Sequence, residues 1–327
     1  MTLLLRHEEI EGLLTTDETI AAVRSGLAEQ GAGKVQLPPR ITIDSTSDQG
    51  WLRLMPTILN RSGYMGYKAM HSTPGVGVRY LVALYQMRSG ELLAFVDADW
   101  ITAWRTAAMA AVATDALARP RIAQAGLLGS SHQARALLTC LSRVRELPRV
   151  RVYSPTAANR ASFAATMSCE LDLDVQPVDA PEAITQECDL VGSAIRAGRS
   201  PVLSGDGLAA GTHVNALSAV RPEARELDDA VWRRSDVVVV DDRVHAFESG
   251  EGQSALRSGA VRMEDAAELW EVLAGKRPGR QSEQDVTLFK AVGTAVQDLT
   301  LAAALYERAR ERNLGAELGA FPHLRPF

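Results

Sequence analysis

Apolar and polar positions follow one pattern in the first third of this chain and a different pattern from about residue 123 onward. In the first part, short strand-like runs recur, and the turn Arg88–Glu91 joins the last two runs as a predicted hairpin. The runs cover residues 40–43, 51–55, 64–70, 80–86 and 92–97. This part of the chain therefore predicts an antiparallel or mixed sheet.

From residue 123 onward, short apolar runs alternate with stretches of helical periodicity. Such alternation is typical of a parallel sheet with helices on both faces. The predicted strands lie around Leu127 and at residues 150–153, 175–178, 190–193, 212–216 and 237–241.

Three longer helices are predicted outside this alternating region. One begins at the capping residues Thr15 to Asp17 and ends near Gln30, before Gly31 and Gly33. An alanine-rich helix covers residues 100–118, is stopped by Pro120, and connects the two parts of the chain. A third covers residues 294–312, and its apolar face is expected to pack back onto the first part.

The segment from Gln124 to Met167 carries the strongest signal for a ligand. An apolar run ends at Gly129, a helical pattern follows from His132, and a second apolar run ends in Ser154-Pro155-Thr156. A strand, tight turn, helix and strand in this order can hold a dinucleotide pyrophosphate on the helix N-terminus. The turn fits the G-x-G-x-x-G/A fingerprint with one departure, since Ser131 replaces the second glycine.

Composition narrows the class of protein. With 327 residues the chain is long enough for two domains, and its net charge of −5 argues against a nucleic-acid binder. It has no apolar run of about 18 residues and no basic region at the N-terminus, so neither a membrane span nor a signal peptide is expected. Three scattered cysteines form no metal-binding or disulfide spacing, which favours a cytoplasmic protein without a metal.

Several basic residues are candidates for binding an anionic substrate. Lys68 lies in an otherwise apolar strand, where it is either a solvent-facing residue, a cation for a carboxylate, or a base with a lowered pKa. Arg105 stands among small residues of the alanine-rich helix and either clamps a carboxylate or forms an interdomain salt bridge. Arg40, which follows two prolines that stiffen its backbone, is a third candidate, and Arg53 and His71 are weaker ones. No Ser-His-Asp or Cys-His pairing is recognisable.

Ten motifs in order make the chain resemble the ornithine cyclodeaminase/μ-crystallin family along nearly its whole length. They are PPR (38–40), LRLMP (52–56), GYK (66–68), SGELLAFVDA (89–98), WRTAA (104–108), GLLGSSHQA (126–134), THVNALSAVRPEARELD (212–228), VVVDD (238–242), ESGE (248–251) and GTAVQDL (293–299). Each motif is modest, whereas their joint order and spacing are specific.

The resemblance implies an α/β fold in which a Rossmann-type parallel-sheet domain is inserted into a smaller α+β substrate and dimerisation domain. We place the substrate domain at residues 1–120 plus 298–327 and the Rossmann domain at 121–297. The resemblance also implies a homodimer, with no nucleic-acid or membrane partner, that acts on α-amino or α-imino acids with NAD(P).

Carried over motif by motif, the resemblance assigns roles to individual residues. Arg40, Lys68 and Arg105 would hold the substrate carboxylate, and Lys68 would also deliver or steer a proton. The residues expected around the cofactor are Thr106, Gly126, Gly129, Ser130, Ser131 and Gln133 near the pyrophosphate, and Ser193, Asn215 and Gly293 on the nicotinamide side.

Two positions depart from the cyclodeaminases of the family. Those enzymes carry an aspartate where this chain has Val220, and valine cannot transfer the proton needed for ring closure. The RPEARELD segment that follows resembles the μ-crystallin branch, which is associated with ketimine reduction. The cyclodeaminases also tend to have a glutamate where this chain has Arg53, a change that should repel a distal ammonium and favour a second carboxylate.

The end of the second predicted Rossmann strand bears on the choice of cofactor. NAD-specific domains usually place an acidic residue there to bind the ribose 2′-hydroxyl. This chain has no carboxylate at that point, and Ser154, Thr156 and Arg160 can hydrogen-bond a 2′-phosphate. The sequence therefore favours NADP(H) over NAD(H).

Together these features predict an NAD(P)H-dependent reductase of a carboxylate-bearing imine or cyclic ketimine, giving an α-amino acid. Three alternatives stay open. They are an ornithine or lysine cyclodeaminase with bound NAD, an amino-acid dehydrogenase of the alanine dehydrogenase type, and a non-enzymatic NADPH-dependent binding protein.

Overall fold

The computed structural model describes residues 2–47, 49–319, 321–323 and 325, and its chain divides into two compact units. The first unit comprises Met1–Arg105 and Thr294–Phe327, and the second comprises Thr106–Gly293. The domain boundaries expected from the sequence, after residues 120 and 297, therefore lie later in the chain than the boundaries between these units.

The shift of the first boundary has a physical reason. The sequence places a boundary at the end of the alanine-rich helix, whereas the division falls inside that helix, between Arg105 and Thr106. The second half of the helix bonds to the second unit, because the hydroxyl of Thr114 accepts a hydrogen bond of 2.9 Å from the Asn215 side chain.

The first stretch of the first unit contains the predicted strands and the predicted hairpin. The helix after Thr15 is fixed by a capping box, in which Thr15 Oγ1 accepts from Glu18 N–H and Glu18 accepts from Thr15 N–H. In order the elements are β1 (Leu3–Leu5), α1 (His7–Ile10), α2 (Thr16–Gly31), β2 (Val35–Gln36), β3 (Ile41–Asp44), β4 (Trp51–Leu59), β5 (Tyr64–Thr73), β6 (Gly77–Gln86), β7 (Leu92–Asp97) and the connecting helix α3 (Asp99–Leu117).

The second unit alternates strands with helices, as the sequence predicts. Its elements are β8 (Ala125–Leu128), α4 (His132–Val144), β9 (Val150–Tyr153), α5 (Ala157–Leu171), β10 (Val175–Pro177), α6 (Glu182–Thr185), β11 (Leu190–Ser193), β12 (His213–Ala216), α7 (Asp229–Arg234), β13 (Val237–Val240), α8 (Arg243–Glu248), α9 (Gly250–Arg257), β14 (Ala267–Glu268), α10 (Leu269–Leu273) and β15 (Thr287–Lys290).

The sheet of the second unit has the strand order β10-β9-β8-β11-β12-β15-β13-β14, and its neighbouring strands pair in parallel within the described residues. Chain order reverses at β8, which has β9 on one side and β11 on the other. In open parallel sheets a ligand binds outside the carboxyl ends of the strands at such a reversal. Strand β15 was not predicted, because its run of four residues ends in a lysine and follows a polar segment.

The first unit is completed by α11 (Ala295–Glu311) and β16 (Ala316–Glu317). Its sheet has the order β16-β1-β7-β6-β5-β4-β2, with β3 beside β4. Helix α11 covers the face that carries Lys68, and Gly66 permits the close approach because an added Cβ would lie 2.8 Å from Leu299 Cδ1. The packing of this predicted helix onto the first unit is thereby confirmed.

The fold class expected from the sequence is confirmed. A mixed sheet lies in one unit and a parallel sheet flanked by helices lies in the other. Among the described residues, no helix is both long enough and apolar enough to cross a lipid bilayer.

Candidate active site

Lys68 and Arg105 converge on one carboxylate inside the first unit. Lys68 Nζ lies 2.9 Å from Asp298 Oδ1, and Arg105 Nε lies 3.2 Å from the same oxygen. The three residues come from β5, α3 and α11, so this contact joins three separate elements. Two cations and one carboxylate leave these three side chains with a net charge of +1.

Burial makes this arrangement electrostatically demanding. The side chains of Lys68 and Asp298 are 0% and 1% exposed. Desolvation lowers the pKa of Lys68 to about 8, although the Asp298 carboxylate acts in the opposite direction. Lys68 therefore titrates near pH 8, where a solvent-facing lysine would still hold its proton.

Neighbouring side chains fix the orientation of both cations. Lys68 Nζ donates to Thr102 Oγ1 at 2.7 Å and lies 5.0 Å from the centre of the Tyr80 ring. Arg105 Nη1 donates to Gln297 Oε1 at 2.9 Å. An ammonium group has three hydrogens, and the bonds to Thr102 and Asp298 use two of them.

One carboxylate oxygen of Asp298 is not used by the cluster. Its second oxygen, Oδ2, is buried and has no hydrogen-bond partner within the described part of the chain. A buried acceptor without a partner is unfavourable, so this atom is suited to accept an N–H group from a ligand.

The other substrate candidates, Arg40, Arg53 and His71, differ in their positions on the sheet. Arg53 pairs with Met70, two positions from Lys68 along β5, and so shares the Lys68 face. Its Nε donates to Thr42 Oγ1 at 2.9 Å, and half-buried Arg40 precedes Thr42 by two residues. Arg40 lies directly before β3, outside its paired residues. His71, three residues after Lys68, is exposed on the opposite face, so this unit does not bring it to the cluster.

The turn after β8 has the geometry of a dinucleotide-binding turn. Gly129 has a φ of 117°, and a Cβ there would lie 2.3 Å from the Ala194 carbonyl oxygen, so a side chain would not fit. Ser131 caps α4, and Ala134 is fully buried against the strand layer. Ser130 and half-buried Gln133 flank the cap. The N-terminus of this helix can therefore hold a phosphate on its free N–H groups.

Gly126 is placed differently from the other glycine-motif residues. It lies within β8, and a Cβ there would meet Ile184 Cγ2 at 2.4 Å and Cys188 Sγ at 2.9 Å. Close packing of α6 against the strand accounts for this glycine. The structure thus does not bring Gly126 to the turn with Gly129 and Ser130.

The residues after β9 form a polar group beside that turn. Ser154 Oγ lies 3.0 Å from Ser130 Oγ, and the Ser154 carbonyl accepts from Arg160 Nη1 at 3.1 Å. Exposed Thr156 is the residue before α5. Arg160 also forms an ion pair with Asp179, whose side chain is 96% exposed.

Of the four remaining predicted cofactor residues, three lie at or near strand ends and Thr106 lies in a helix. Ser193 ends β11 and donates to Glu226 Oε2 at 2.7 Å. Asn215 lies in β12, and its Oδ1 is buried without a hydrogen-bond partner among the residues described. The Gly293 N–H donates to Asp241 Oδ2 at 2.7 Å. Thr106 is buried in α3.

Asp298 and Gln297 had no predicted role, although both lie in the GTAVQDL motif. Within α11 these two polar residues stand among buried apolar residues such as Val296 and Leu299. A carboxylate on the apolar side of a predicted helix was the available signal, because such a group requires a buried cation as its partner. Only the contact with Lys68 and Arg105 identifies that partner.

Comparison with known proteins gives a consistent result. The model of the ornithine cyclodeaminase/mu-crystallin family matches residues 1–313. Alanine dehydrogenase of Archaeoglobus fulgidus is 34% identical to this chain, covering 98% of it and 99% of the relative.

Two solved structures are also similar over nearly the whole chain. The Thermococcus litoralis Δ1-pyrroline-2-carboxylate reductase in complex with NADH and L-proline has a TM-score of 0.91 and 32% identity, covering 97% of this chain and 100% of that one. The iminosuccinate reductase of Paracoccus denitrificans in complex with NAD+ has a TM-score of 0.89 and 26% identity, covering 95% and 97%.

The lowered pKa of Lys68 predicts a pH-dependent stability. Below about pH 8 the amine is charged in both folded and unfolded states, and burial of that charge opposes folding. Between about pH 8 and the ordinary pKa of 10.5 only the unfolded state holds the proton, so the contribution of Lys68 to stability rises with pH. Chemical unfolding of wild type and Lys68→Met at pH 7 and at about pH 10 should show the difference moving in favour of wild type. A difference that stays constant would contradict the lowered pKa.

Proposed function

The chain belongs to the ornithine cyclodeaminase/mu-crystallin family, and on that basis we propose that it reduces a carboxylate-bearing imine with NAD(P)H to give an α-amino acid. The observation that carries the proposal is the buried contact of Lys68 and Arg105 with Asp298. Their net charge of +1 is compensated when a substrate carboxylate binds to the two cations. Charge-assisted bonds of this kind are about twice as strong as neutral ones.

In this proposal Lys68 and Arg105 both bind the carboxylate, and the groups of the cluster have further tasks. Arg105, held by Gln297 and Asp298, orients the substrate carboxylate. The free Oδ2 of Asp298 accepts the N–H of the protonated imine. Lys68 supplies the proton that the imine nitrogen must gain, and the lysine is then reprotonated from solvent. The bound nicotinamide supplies the hydride to the imine carbon.

The second unit contains residues that fit such a cofactor. The N-terminus of α4, with Gly129, Ser130 and Ser131, suits the pyrophosphate. The buried, unpartnered Oδ1 of Asn215 suits a donor from the nicotinamide half. We assign the first unit to the substrate and the second to the dinucleotide.

We favour NADP(H) as the cofactor. No carboxylate follows β9 to oppose a 2′-phosphate, and Arg160 is anchored beside Ser154. The ion pair of Arg160 with Asp179 competes for the same guanidinium. Because Asp179 is almost fully exposed, its hold on Arg160 is weak and a phosphate can displace it.

Arg53 favours a substrate with a second carboxylate. It shares the sheet face of Lys68, and diagonal neighbours on such a face are roughly 7–8 Å apart. A short imine dicarboxylate spans such a gap when each end binds a cation. The resemblance to an iminosuccinate reductase supports the same substrate class.

One alternative is favoured by a specific observation, and the other two are weaker. Similarity to an alanine dehydrogenase supports a reaction in which the imine forms from a keto acid and free ammonia. A cyclodeaminase is disfavoured because Val220 is packed against the apolar core of the second unit. A protein that only binds cofactor is disfavoured because the Lys68 cluster keeps an excess positive charge and the unpartnered Asp298 Oδ2, which suit a second ligand.

A homodimer formed through the outer sheet face of the first unit is part of the proposal. On this face Ile41, Leu54, Ala69 and Leu81 form one row across four strands. Ile41, Ile43, Leu52 and Leu81 are 52%, 58%, 41% and 36% exposed. A cavity of about 650 Å³ lies on the same face, lined by residues including Pro56, Ile58, Met65 and Tyr67. Apolar patches of this kind are typical of interfaces.

We also place the protein in the cytoplasm, since its three cysteines are free thiols.

Removal of either cation should separate substrate binding from cofactor binding. Lys68→Ala or Arg105→Ala should raise KM for the imine and lower kcat/KM by at least about tenfold, because each loses a charge-assisted bond. The affinity for NADPH should stay nearly unchanged. Steady-state kinetics and NADPH fluorescence titration measure both quantities.

The matched control for these variants is Arg308→Ala on α11, which removes a surface ion pair with Glu18. It should leave the imine KM and the NADPH affinity unchanged.

In wild type, kcat/KM for reduction should fall as pH rises above about 8, because Lys68 then loses its proton. Wild-type kinetics in a Lys68 or Arg105 variant would remove that residue from the site.

Competition between Asp179 and a 2′-phosphate for the Arg160 guanidinium can be measured directly. Asp179→Asn should raise the ratio of kcat/KM for NADPH over NADH several-fold, whereas Arg160→Gln should lower it by about tenfold. Arg151→Gln, which removes a different ion pair at β9, is the control and should not change the ratio. If Arg160→Gln also leaves the ratio unchanged, Arg160 does not read the phosphate.

Charge placed on the outer sheet face should break the dimer. Leu81→Glu combined with Ile43→Glu should convert the protein from dimer to monomer in sedimentation velocity, because two buried carboxylates would face an apolar partner surface. Val244→Glu, at a position 58% exposed on α8, should leave the dimer intact. A wild-type monomer at micromolar concentration, or a double variant that stays dimeric, would refute this interface.

A further inference from the structure

A second buried ionic cluster lies in the second unit, and the proposed chemistry does not use it. Lys290 Nζ lies 2.9 Å from Glu226 Oε1 and 2.8 Å from Glu251 Oε1. All three side chains are 0% exposed. Burying three charges is costly unless each is fully bonded, so the cluster calls for an explanation.

Glu226 is the centre of this cluster. Its Oε1 accepts from the N–H groups of Ser218 at 2.7 Å and Ala219 at 3.1 Å, in addition to Lys290. Its Oε2 accepts from the Ser193 hydroxyl at 2.7 Å. One carboxylate thereby holds the end of β11, the chain after β12 and the end of β15, which are three adjacent strands.

Glu251 holds Glu226 in place from behind. Its Oε2 accepts from the N–H groups of Glu226 at 2.7 Å and Leu227 at 3.0 Å. Beyond Lys290, Asp241 at the end of β13 accepts from the N–H groups of Val292 at 2.9 Å and Gly293 at 2.7 Å. The bonds of these carboxylates therefore run along the carboxyl edge of the sheet from β11 to β13.

The carboxyl edge of these strands is where the nicotinamide half of a dinucleotide lies in a doubly wound sheet, with the adenosine half over β8 to β10. We propose that Glu226, with Lys290 and Glu251, is a positioning group that sets the strand-end loops against which the nicotinamide half binds. This inference rests on the proposed function. It also reassigns Ser193, whose hydroxyl is a support for Glu226 instead of a cofactor contact.

The inference predicts a split between two ligands. Glu226→Gln keeps the volume and leaves Lys290 paired with Glu251, but its amide NH₂ cannot accept the bonds that one carboxylate oxygen accepted. The dissociation constant for NADH should rise about tenfold or more, while that for ADP-ribose, which lacks nicotinamide, should stay within about twofold. With NADPH as the preferred cofactor, the matching probe is 2′-phospho-ADP-ribose. The value of kcat should also fall.

Asp189→Asn is the matched control, because Asp189 anchors the opposite end of β11. Its Oδ2 accepts from the N–H groups of Ala123 at 2.7 Å and Gln124 at 3.2 Å. This variant should lose thermal stability without changing the ratio of the two dissociation constants or kcat. Glu251→Gln is a second test variant, which should give a smaller split in the same direction, and it decides the question if Glu226→Gln does not fold.

The outcomes distinguish failure of the positioning role from failure of the proposed function. A split in the Glu226 or Glu251 variant and none in Asp189→Asn supports the positioning role. Equal changes for both ligands, no change, or the same split in Asp189→Asn would overturn it while leaving the proposed function intact. A wild-type protein that binds neither NADH, NADPH nor the ribose probes would overturn both.

Discussion

The contact of Lys68 with Asp298 is the constraint on which the account of this protein depends. A lysine without exposed surface must have an anionic partner or lose its proton, and here it has the first while its pKa falls to about 8. Arg105 shares the same carboxylate. One interaction therefore orients two cations, joins β5, α3 and α11, and leaves a positive charge that a carboxylate can neutralise.

The second unit uses the same physical device for a different purpose. Lys290 is also fully buried, yet two carboxylates surround it. Glu226 also accepts hydrogen bonds from backbone N–H groups and from the Ser193 hydroxyl. The first cluster has more cations than carboxylates and keeps an unpartnered acceptor. The second has more carboxylates than cations and uses them to hold strand ends, which is why we assign binding to the first and positioning to the second.

Much of the fold was predictable because its signals are local. The capping residues of α2, the β6–β7 hairpin and the Gly129 turn each depend on a few neighbouring positions, and the structure confirms these elements. The motifs also identified Lys68 and Arg105 as candidates. Their partner Asp298 is separated from Lys68 by 230 positions, so the local pattern of residues could not predict that the two side chains form a pair.

Other features depended on long-range packing in the same way. Strand β15 is short and ends in Lys290. The charge of this buried lysine is compensated by Glu226 and Glu251, which lie on distant segments of the chain. His71 lies on the face opposite Lys68 because a difference of three residues along a strand reverses the face, and this matters only when one face is known to be covered. The pair of Arg160 with Asp179 likewise connects residues on different elements.

The most direct test of the central claim compares two imines that differ only in the carboxylate. Oxidation of NADPH and NADH should be followed with Δ1-pyrroline-2-carboxylate and with Δ1-pyrroline, which lacks the acid group. We expect turnover of the carboxylate and a kcat/KM lower by about a hundredfold or more for the bare imine, because two charge-assisted contacts are lost. Equal rates for the two imines would contradict the assigned role of Lys68 and Arg105, and ammonia release from ornithine in place of any imine reduction would contradict the proposed reaction itself.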